Sequence, residues 1–188
     1  LRTALPGLTV APVVADFTRA LPIPRNLPGP VAIAFLGSTI GNLDRPEAIA
    51  LLRRVAARLR PGDRFVLGVD LRKDPAILEA AYNDREGVTA EFNLNALRVL
   101  NRETGADFDP GRFRHLAWYD TARHRIEMHL VALEAHIVTI PGLPPIRFAR
   151  GETLRTEISG KQDRARLAGL LGGAGLRLGP WAESPAPP

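Results

Sequence analysis

The strongest constraint on the fold of this chain is an apolar run that ends in small polar residues, VAIAFLGSTIGNL at positions 31–43. Residues 31–36 are apolar without alternation, which is typical of a parallel strand covered on both faces. Gly37, Ser38 and Thr39 then favour a sharp turn and offer hydroxyl groups to a ligand. Because ligands of open α/β sheets bind beyond the carboxyl ends of the strands, this turn predicts a binding site.

The segments around this run predict half of a doubly wound sheet. Apolar residues three and four apart predict a helix over 46–59, with Asp44 as its N-cap. Strands are predicted over 8–15 and 64–71, so the order is strand, strand, helix, strand, and the fold class is α/β. No G-x-G loop follows a strand near the N-terminus, so the sheet is expected to begin partway through such a fold, with its N-terminal strands missing.

The middle of the chain changes from helical to β patterning. Helices are predicted over 75–82 and 88–103, and after them come strands over 113–119, 125–133, 136–140, 146–148 and 154–159. In the last of these, strict alternation predicts one face with Leu154, Thr156 and Ile158 and an opposite face with Arg155, Glu157 and Ser159.

Shorter elements are predicted for the two ends of the chain. The end of a helix is expected over 1–5, and a helix over 163–171 precedes a strand over 176–181 and a Pro-rich end over 184–188. Gly173 and Gly175 follow a helix rather than a strand, which indicates a helix C-terminal stop and not a phosphate loop. We therefore expect three regions: a partial sheet over 1–74, a helical and β-rich substrate-binding region over 75–160, and a return to the sheet over 161–188.

Composition argues against several classes of function. The chain has no cysteine, which excludes thiolate chemistry, and no apolar run near the roughly 20 residues that cross a membrane, so we expect a cytoplasmic protein. Its net charge is +5, but all except two of its 25 basic residues are arginines spread along the chain. With few aromatic residues beside them, no nucleic-acid partner is expected. The four histidines lack metal-ligand spacing, so no metal is expected.

Several motifs carry a resemblance to a known family. The main ones are Asp16-Phe17, FLGSTIGN at 35–42 and TEISGK at 156–161; further matches are GVDLRKDP at 68–75, AYND at 81–84, a pattern over 92–108 and IEMHL at 126–130. In this order they resemble the histidine-specific methyltransferases, which use S-adenosylmethionine to trimethylate the α-amino group of histidine, giving hercynine in ergothioneine biosynthesis. The resemblance covers nearly the whole chain.

The resemblance departs at the ends of the chain. The N-terminal substrate-contacting portion and the first glycine-rich cofactor loop of family members have no counterpart here. The chain therefore resembles the carboxyl-terminal part of such an enzyme. The resemblance implies a Rossmann-like sheet, S-adenosylmethionine as cofactor and L-histidine as a small-molecule substrate, and we expect a monomer.

For the cofactor, the resemblance implies contacts from three residues. Asp16 and Phe17 would hold the adenine, with the carboxylate accepting a hydrogen bond from the adenine amine. Gly37 would approach the cofactor at the end of the strand. The structural alternative for Asp16 is a turn cap.

For the substrate, the resemblance implies contacts from five residues. Asn42 and Tyr82 would bind the amino and carboxylate end of the amino acid. Glu157 and Ser159 would hold the imidazole, and Met128 would pack against the ring. The residues support the imidazole pair independently, because two side chains on one strand face can both reach one planar heterocycle.

Each of these residues also has a structural alternative. Asn42 suits the start of a helix, Tyr82 suits half-buried packing and Met128 suits the core. Glu157 suits an ion pair with an arginine. The expected chemistry is direct displacement at the methyl carbon, with no residue assigned as the base. Two other functions stay open: a methyltransferase of the same fold acting on another amino acid, and an inactive partial chain that lacks half of the cofactor site.

Overall fold

The computed structural model of the chain describes residues 7–24 and 26–184. The helix end predicted over 1–5 and nearly all of the Pro-rich end predicted over 184–188 lie outside the described residues. The predicted α/β class is confirmed, because helices combine with parallel and antiparallel strands. The elements in chain order are β1 (Ala32–Phe35), α1 (Arg45–Ala56), β2 (Arg64–Leu67), α2 (Pro75–Tyr82), α3 (Val88–Thr104), β3 (Phe113–Asp120), β4 (Arg125–Ala132), β5 (His136–Val138), β6 (Ile146–Phe148), β7 (Thr153–Gly160) and α4 (Arg164–Gly172), with 3₁₀ helices over Thr39–Asn42 and Pro110–Arg112.

The chain divides into two compact units. The first comprises the described residues within Leu1–Leu36, Asp44–Leu67 and Arg164–Pro188, and the second comprises Gly37–Leu43 and Gly68–Asp163. In this division, residues 37–43 and 68–74 group with the β-rich part of the chain. The bounds drawn from the sequence at 74 and 160 had assigned them to the partial sheet.

The first unit contains the strand-helix-strand element that the sequence predicted. β1 and β2 pair in parallel, with Ala32 opposite Arg64, and α1 provides the crossover that parallel strands require. α1 begins at its predicted N-cap, Asp44, whose backbone N–H donates to the Glu47 carboxylate at 2.9 Å. The Asp44 side chain accepts in return from the backbone N–H of Glu47. These two bonds form a capping box, which satisfies N–H groups that the first turn of a helix leaves without partners.

α4 packs against α1 in the same unit. The Arg53 side chain of α1 donates through Nε to the Gly173 carbonyl, just after α4, at 3.2 Å. After α4 the N–H of Leu176 donates to the Leu171 carbonyl, and Gly175 has a left-handed φ of 76°. Helices commonly end in this way, so the interpretation of these glycines as a helix stop is confirmed.

Two strands predicted from apolar runs do not form. Residues 8–15 and 176–181 have no strand structure. A strand needs a hydrogen-bonded neighbour, and Pro12 and Pro180 lack the N–H group that would donate to one. The exposed fractions of Val13 and Val14 are 63% and 104%, so the first run is not buried. The expectation that Asp16 follows the end of a strand is therefore wrong.

The second unit is built on an antiparallel sheet of order β3-β4-β7. β3 and β4 form the predicted hairpin, with Asp120 opposite Arg125 at its turn, and β5 pairs separately with β6. Buried apolar side chains of α3, the sheet and neighbouring segments form one core cluster: Leu97, Ala106, Phe108, Phe113, Leu130, Ala132, Val138 and Phe148. Close packing of this kind holds β4, and through it β7, in a defined position.

One extra residue in β7 interrupts the predicted alternation. Glu157 lies opposite Met128, whereas the next residue of β4, His129, lies opposite Arg155. Thr156 is therefore the extra residue of a β-bulge. Its hydroxyl donates to the Met128 carbonyl at 3.1 Å, so the bulge stays bonded to β4.

The bulge changes which side chains of β7 share a face. Glu157 and Ser159 share one face, as predicted, because both follow the bulge. Leu154 is on that same face and packs against the core cluster, whereas Arg155 is on the opposite face, with its guanidinium 3.6 Å from Glu127. The predicted grouping of Arg155 with Glu157 is wrong, since strict alternation does not allow for an extra residue.

Candidate functional site

The polar turn that follows β1 forms the 3₁₀ helix Thr39–Asn42 in the second unit, where it packs against β7. Gly41 permits this contact. A Cβ atom added there would lie 2.9 Å from the carbonyl oxygen of Gly160 and 3.1 Å from its nitrogen. A side chain cannot occupy that space, so glycine lets the two backbones meet. The contact places Asn42 beside the strand that carries Glu157 and Ser159.

Asn42 and Glu157, both predicted to bind the substrate, are in contact. The Asn42 amide donates through Nδ2 to Oε1 of Glu157 at 3.3 Å. Glu157 is half-buried, and this burial raises the pKa of its carboxyl, although the Lys161 charge and the Asn42 hydrogen bond act in the opposite direction. A carboxylate accepts several hydrogen bonds, so Glu157 can also accept from a ligand N–H.

Tyr82 and Ser159, one residue from each predicted substrate pair, are also in contact. The Tyr82 hydroxyl donates to Ser159 Oγ at 2.9 Å. Tyr82 is the last residue of α2, and the next residue, Asn83, fixes the end of this helix to β3. Asn83 Nδ2 donates to the Ala117 carbonyl at 3.0 Å, and the Ala117 N–H donates to Asn83 Oδ1 at 3.1 Å. These paired bonds hold the Tyr82 hydroxyl over β7.

Met128 lies opposite Glu157 in the sheet and is 3% exposed. It packs with Leu78, Ala117 and Ile126 in a small buried cluster, against which Tyr82 also packs. The structure therefore brings Met128 close to the other predicted substrate residues. Its side chain belongs to the apolar layer beneath them.

Lys161 is a functional candidate to which sequence reasoning gave no role. Its side chain has no exposed surface. Its ammonium group donates to Asp70 Oδ2 at 2.8 Å, to Tyr82 Oη at 2.9 Å and to Ser159 Oγ at 3.0 Å. These three acceptors match the three N–H bonds of an ammonium, so the buried charge is both paired and hydrogen-bonded.

Asp70 anchors this lysine from the segment that follows β2. Burial alone would raise the pKa of the Asp70 carboxyl, but hydrogen bonds from Lys161 and Lys73 outweigh it and hold the pKa below its usual value. The Lys73 ammonium lies 3.0 Å from Oδ1, and the Asp70 N–H donates to the Ser38 hydroxyl at 2.9 Å. The two lysines of the chain thus contact the same carboxylate.

A signal for this pair is visible in the sequence. Lysine occurs twice among 25 basic residues, and both lysines fall within motifs of the resemblance, GVDLRKDP and TEISGK. A rare residue type at two such positions indicates a requirement that arginine does not meet. The pairing itself joins residues 91 positions apart, so no local pattern predicts it.

The residues predicted to contact a cofactor lie in turns. In the first unit, Asp16 accepts from the N–H and hydroxyl of Thr18 at 2.9 and 2.5 Å, and these bonds lower the pKa of its carboxyl. The Phe17 ring packs edge-on against Phe35, with 5.4 Å between ring centroids. In the second unit, Gly37 has a left-handed φ of 74°, which favours glycine.

The part of the chain that the structure describes contains neither a metal-binding cluster nor a membrane-spanning helix. No group of three His, Cys, Asp or Glu side chains there could hold a metal ion. Among the same residues no helix is long and apolar enough to span a membrane. The second unit instead offers an amide, a carboxylate and two hydroxyls close together, a set that suits a small polar ligand.

Comparison with known proteins shows which family the chain belongs to. The sequence profile described as histidine-specific methyltransferase, SAM-dependent, matches residues 1–186. The chain belongs to this family. The histidine N-alpha-methyltransferases of Mycolicibacterium smegmatis and Mycobacterium tuberculosis are 43% and 42% identical to it. The matches cover 96% and 93% of the chain and 56% and 54% of the relatives, so the chain spans about half the length of the curated relatives it matches.

A more distant relative of this chain is named for a different amino acid. The L-tryptophan methyltransferase of Psilocybe serbica is 27% identical over 162 residues, which are 84% of this chain and 45% of the relative. Similarity across the chain thus extends to proteins named for different aromatic amino acids. The side chains predicted to contact the substrate ring, those of Met128, Glu157 and Ser159, are therefore the ones to test for specificity.

Proposed function

We propose that this chain belongs to an enzyme that transfers methyl groups from S-adenosylmethionine to the α-amino nitrogen of L-histidine, giving hercynine. The observation that carries the proposal is the convergence, within one unit, of Asn42, Tyr82, Glu157 and Ser159. Identity of 42–43% to relatives named histidine N-alpha-methyltransferases supports the same activity. Because the chain spans about half of those relatives, the activity is proposed for the whole protein that contains it.

In this proposal, Asn42 and Tyr82 bind the amino and carboxylate end of histidine. The Asn42 side chain offers both a carbonyl acceptor and N–H donors, so it can meet either group. Tyr82 Oη accepts from Lys161 and donates to Ser159, which leaves one lone pair for the substrate amine.

The imidazole lies between Glu157 and Ser159 in this proposal. Glu157 accepts the ring N–H, and the Ser159 hydroxyl meets the other nitrogen. Both side chains project from the same face of β7, so one planar ring can contact both. Met128, opposite Glu157, forms the apolar floor under the ring.

S-adenosylmethionine is the proposed cofactor, and it supplies a methyl group that its sulfonium already makes electrophilic. Asp16 fits the proposed contact with adenine, since its side chain is 51% exposed and its Oδ2, which lies 3.3 Å from Arg19 Nε, can accept a further hydrogen bond from an amine. Phe17 would pack on the adenine. Gly37 fits a close approach, because a Cβ there would meet nothing nearer than the Thr39 hydroxyl at 3.8 Å.

The chain's own contribution to the reaction is positioning. Holding the amine in line with the methyl carbon contributes several kcal/mol to lowering the barrier. The attacking nitrogen must be neutral, so a proton leaves before the attack. No side chain is assigned as the base for that proton.

The proposal is tested by incubating the whole protein with methyl-labelled S-adenosylmethionine and single amino acids. We expect label in histidine. Label in tryptophan or another amino acid instead would assign the same fold to a different substrate, the first rival function. Absence of label in every amino acid would support the second rival, an inactive chain.

The residue roles are tested by Glu157→Ala in the same protein. Removing a charged hydrogen bond of about 1.5–3 kcal/mol should weaken histidine binding by roughly 10- to 150-fold. Glu103→Ala, which removes a carboxylate that is 62% exposed at the end of α3, is the matched control. Equal histidine affinity in the two variants would overturn the imidazole assignment.

We also propose that the enzyme is a cytoplasmic monomer. A chain without cysteine fits a reducing compartment. Analytical ultracentrifugation of the whole protein tests the monomer, and a concentration-independent dimer would contradict it.

A further inference from the structure

Lys161 controls the hydrogen-bonding capacity of the two hydroxyls in the site. Ser159 Oγ accepts from Lys161 at 3.0 Å and from Tyr82 at 2.9 Å. A hydroxyl oxygen has two lone pairs, so both of those on Ser159 are occupied. The hydroxyl proton is then the group that Ser159 can offer to a ligand.

The direction of the bond between the two hydroxyls decides which of them keeps its proton for a ligand. Lys161 donates to both Tyr82 and Ser159, and the two hydroxyls share one further hydrogen bond. That bond uses one of their two protons, whichever residue supplies it. Tyr82 supplies it in the structure, so the proton that remains for a ligand is that of Ser159, while Tyr82 keeps one lone pair.

Asp70 makes the arrangement stable. Its carboxylate lies 2.8 Å from the Lys161 ammonium, which has no exposed surface. A buried ammonium without such a partner would be strongly unfavourable. The ammonium is also compact, with three divergent donors, whereas the planar guanidinium of arginine matches three separate acceptors poorly.

We propose that Lys161, held by Asp70, is a positioning residue that fixes Ser159 as a hydrogen-bond donor, so that Glu157 and Ser159 together select a ring with one N–H and one unprotonated nitrogen. This proposal rests on the proposed function and adds the residue that sets its ring specificity. Glu157 accepts the N–H, and Ser159 donates to the bare nitrogen. Neutral imidazole has both groups, whereas a ring without a bare nitrogen leaves a buried hydroxyl proton without an acceptor.

The test compares L-histidine with pyrrol-2-yl-alanine and pyrrol-3-yl-alanine, which keep one ring N–H and replace the other nitrogen by C–H. Affinities are measured by calorimetry on the whole protein at pH 8, where imidazole is neutral, with S-adenosylhomocysteine present. In the wild type, histidine should bind about 5- to 150-fold more tightly than the better pyrrole, the cost of an unsatisfied buried donor.

In Lys161→Met this preference should fall to about threefold or less, because Ser159 is then free to turn its proton to Tyr82. The double variant Asp70→Asn/Lys161→Met should show the same loss, and it leaves no buried charge without a partner. Lys73→Met is the matched control. It removes a positive charge from the same aspartate, 3.0 Å from its other oxygen, and should keep the wild-type preference.

Three results would overturn the proposal. The first is an unchanged preference for histidine over the pyrroles in a folded Lys161→Met or double variant, including the case where affinity for all three ligands falls in parallel. This result would give Lys161 a purely structural role and leave the proposed function intact. The same loss of preference in Lys73→Met would assign the effect to the charge of Asp70. Absence of histidine binding by the wild type would overturn the proposed function and this proposal with it.

Discussion

The side-chain amide of Asn42 donates to the carboxylate of Glu157 across 3.3 Å, although the two residues are 115 positions apart in the chain. The contact joins the 3₁₀ helix after β1 to the middle of β7. The Asn42 bond favours the charged form of Glu157, whereas burial favours the neutral form and has the larger effect. Changes of charge at either residue should therefore alter stability in a pH-dependent way.

Asn42→Asp should destabilise the protein because it places a second carboxylate beside Glu157. Asn42→Ala is the control, since it removes the hydrogen bond without adding a charge. At pH 8 we expect the aspartate variant to be less stable than the alanine variant by about 1 kcal/mol, the interaction of unit charges some 4 Å apart in water. Urea denaturation measures the difference, which should close below about pH 4 as the carboxyls protonate. Equal stability at pH 8 would contradict the contact.

The effect of Glu157→Gln on the free energy of unfolding should become more favourable as the pH rises from acid to neutral. The pKa of Glu157 is raised in the folded state, so the unfolded chain loses its proton first as the pH rises above 4.5. The wild type therefore loses stability between that pH and the folded-state pKa, and the glutamine variant does not. The free energy of unfolding of the variant minus that of the wild type should increase from pH 4 to pH 7.

Glu127→Gln should show the opposite sign when the same experiment is extended below pH 4, into the range where this carboxyl titrates. Burial raises the pKa of Glu127, but hydrogen bonds from Arg125 and His129 outweigh it and lower the pKa below 4.5. The stability from this carboxylate is present above pH 4.5 and is lost as the pH falls through the lowered pKa. The free energy of unfolding of the variant minus that of the wild type should therefore decrease as the pH rises. The same sign for both glutamates would show that one of the two environments is misassigned.

Gly41→Ala should disrupt the site, because its Cβ would lie 2.9 Å from the Gly160 carbonyl oxygen. Relieving this clash requires a backbone shift, with a loss of about 1–3 kcal/mol in stability. Gly169→Ala is the matched control. Nothing lies within 4 Å of a Cβ at this position within α4, so it should stabilise the protein by roughly 0.5–1 kcal/mol. Thermal unfolding of both variants measures these opposite changes in stability. A Gly41→Ala variant as stable as the wild type would contradict the close approach of the two backbones.

Asp84→Ala should weaken the start of α3 in a pH-dependent way. The side-chain and backbone groups of Thr89 and the N–H of Val88 donate to this carboxylate and lower its pKa to about 2. The stability it contributes is present above the usual pKa of 3.8 and is lost as the pH falls through about 2. The alanine variant should therefore lose less stability than the wild type between pH 4 and pH 2, as followed by circular dichroism. Asp84→Asn keeps an acceptor and should be intermediate at neutral pH.

The elements that local patterns specify strongly were predicted well. Pro75 and Tyr82 bound a helix, and Ile146 and Phe148 bound a strand, at the positions that the sequence indicated. The proline in the first turn of α2 and the proline-rich turn over 141–145 directly before β6 are local signals.

Three features that depend on distant partners were not predicted. The apolar run over 8–15 has strand composition, but strand structure needs a neighbour that composition cannot supply. The bulge at Thr156 exists only relative to β4, so the sequence of β7 alone does not show it. The Lys161–Asp70 pair is likewise a tertiary contact. Each residue lies in a different motif, and neither motif indicates that the two side chains meet.

The bulge at Thr156 gives the two halves of β7 separate constraints. Before it, Leu154 contributes to the hydrophobic core, and after it Glu157 and Ser159 line the polar site, all on one face of the strand. A deletion of Thr156 would force one half to turn over, exposing Leu154 or withdrawing Glu157. The core contact of Leu154 lies before the bulge, and the polar contacts of Glu157 and Ser159 lie after it. The bulge thus separates the end of β7 that anchors the strand in the core from the end that carries the polar side chains.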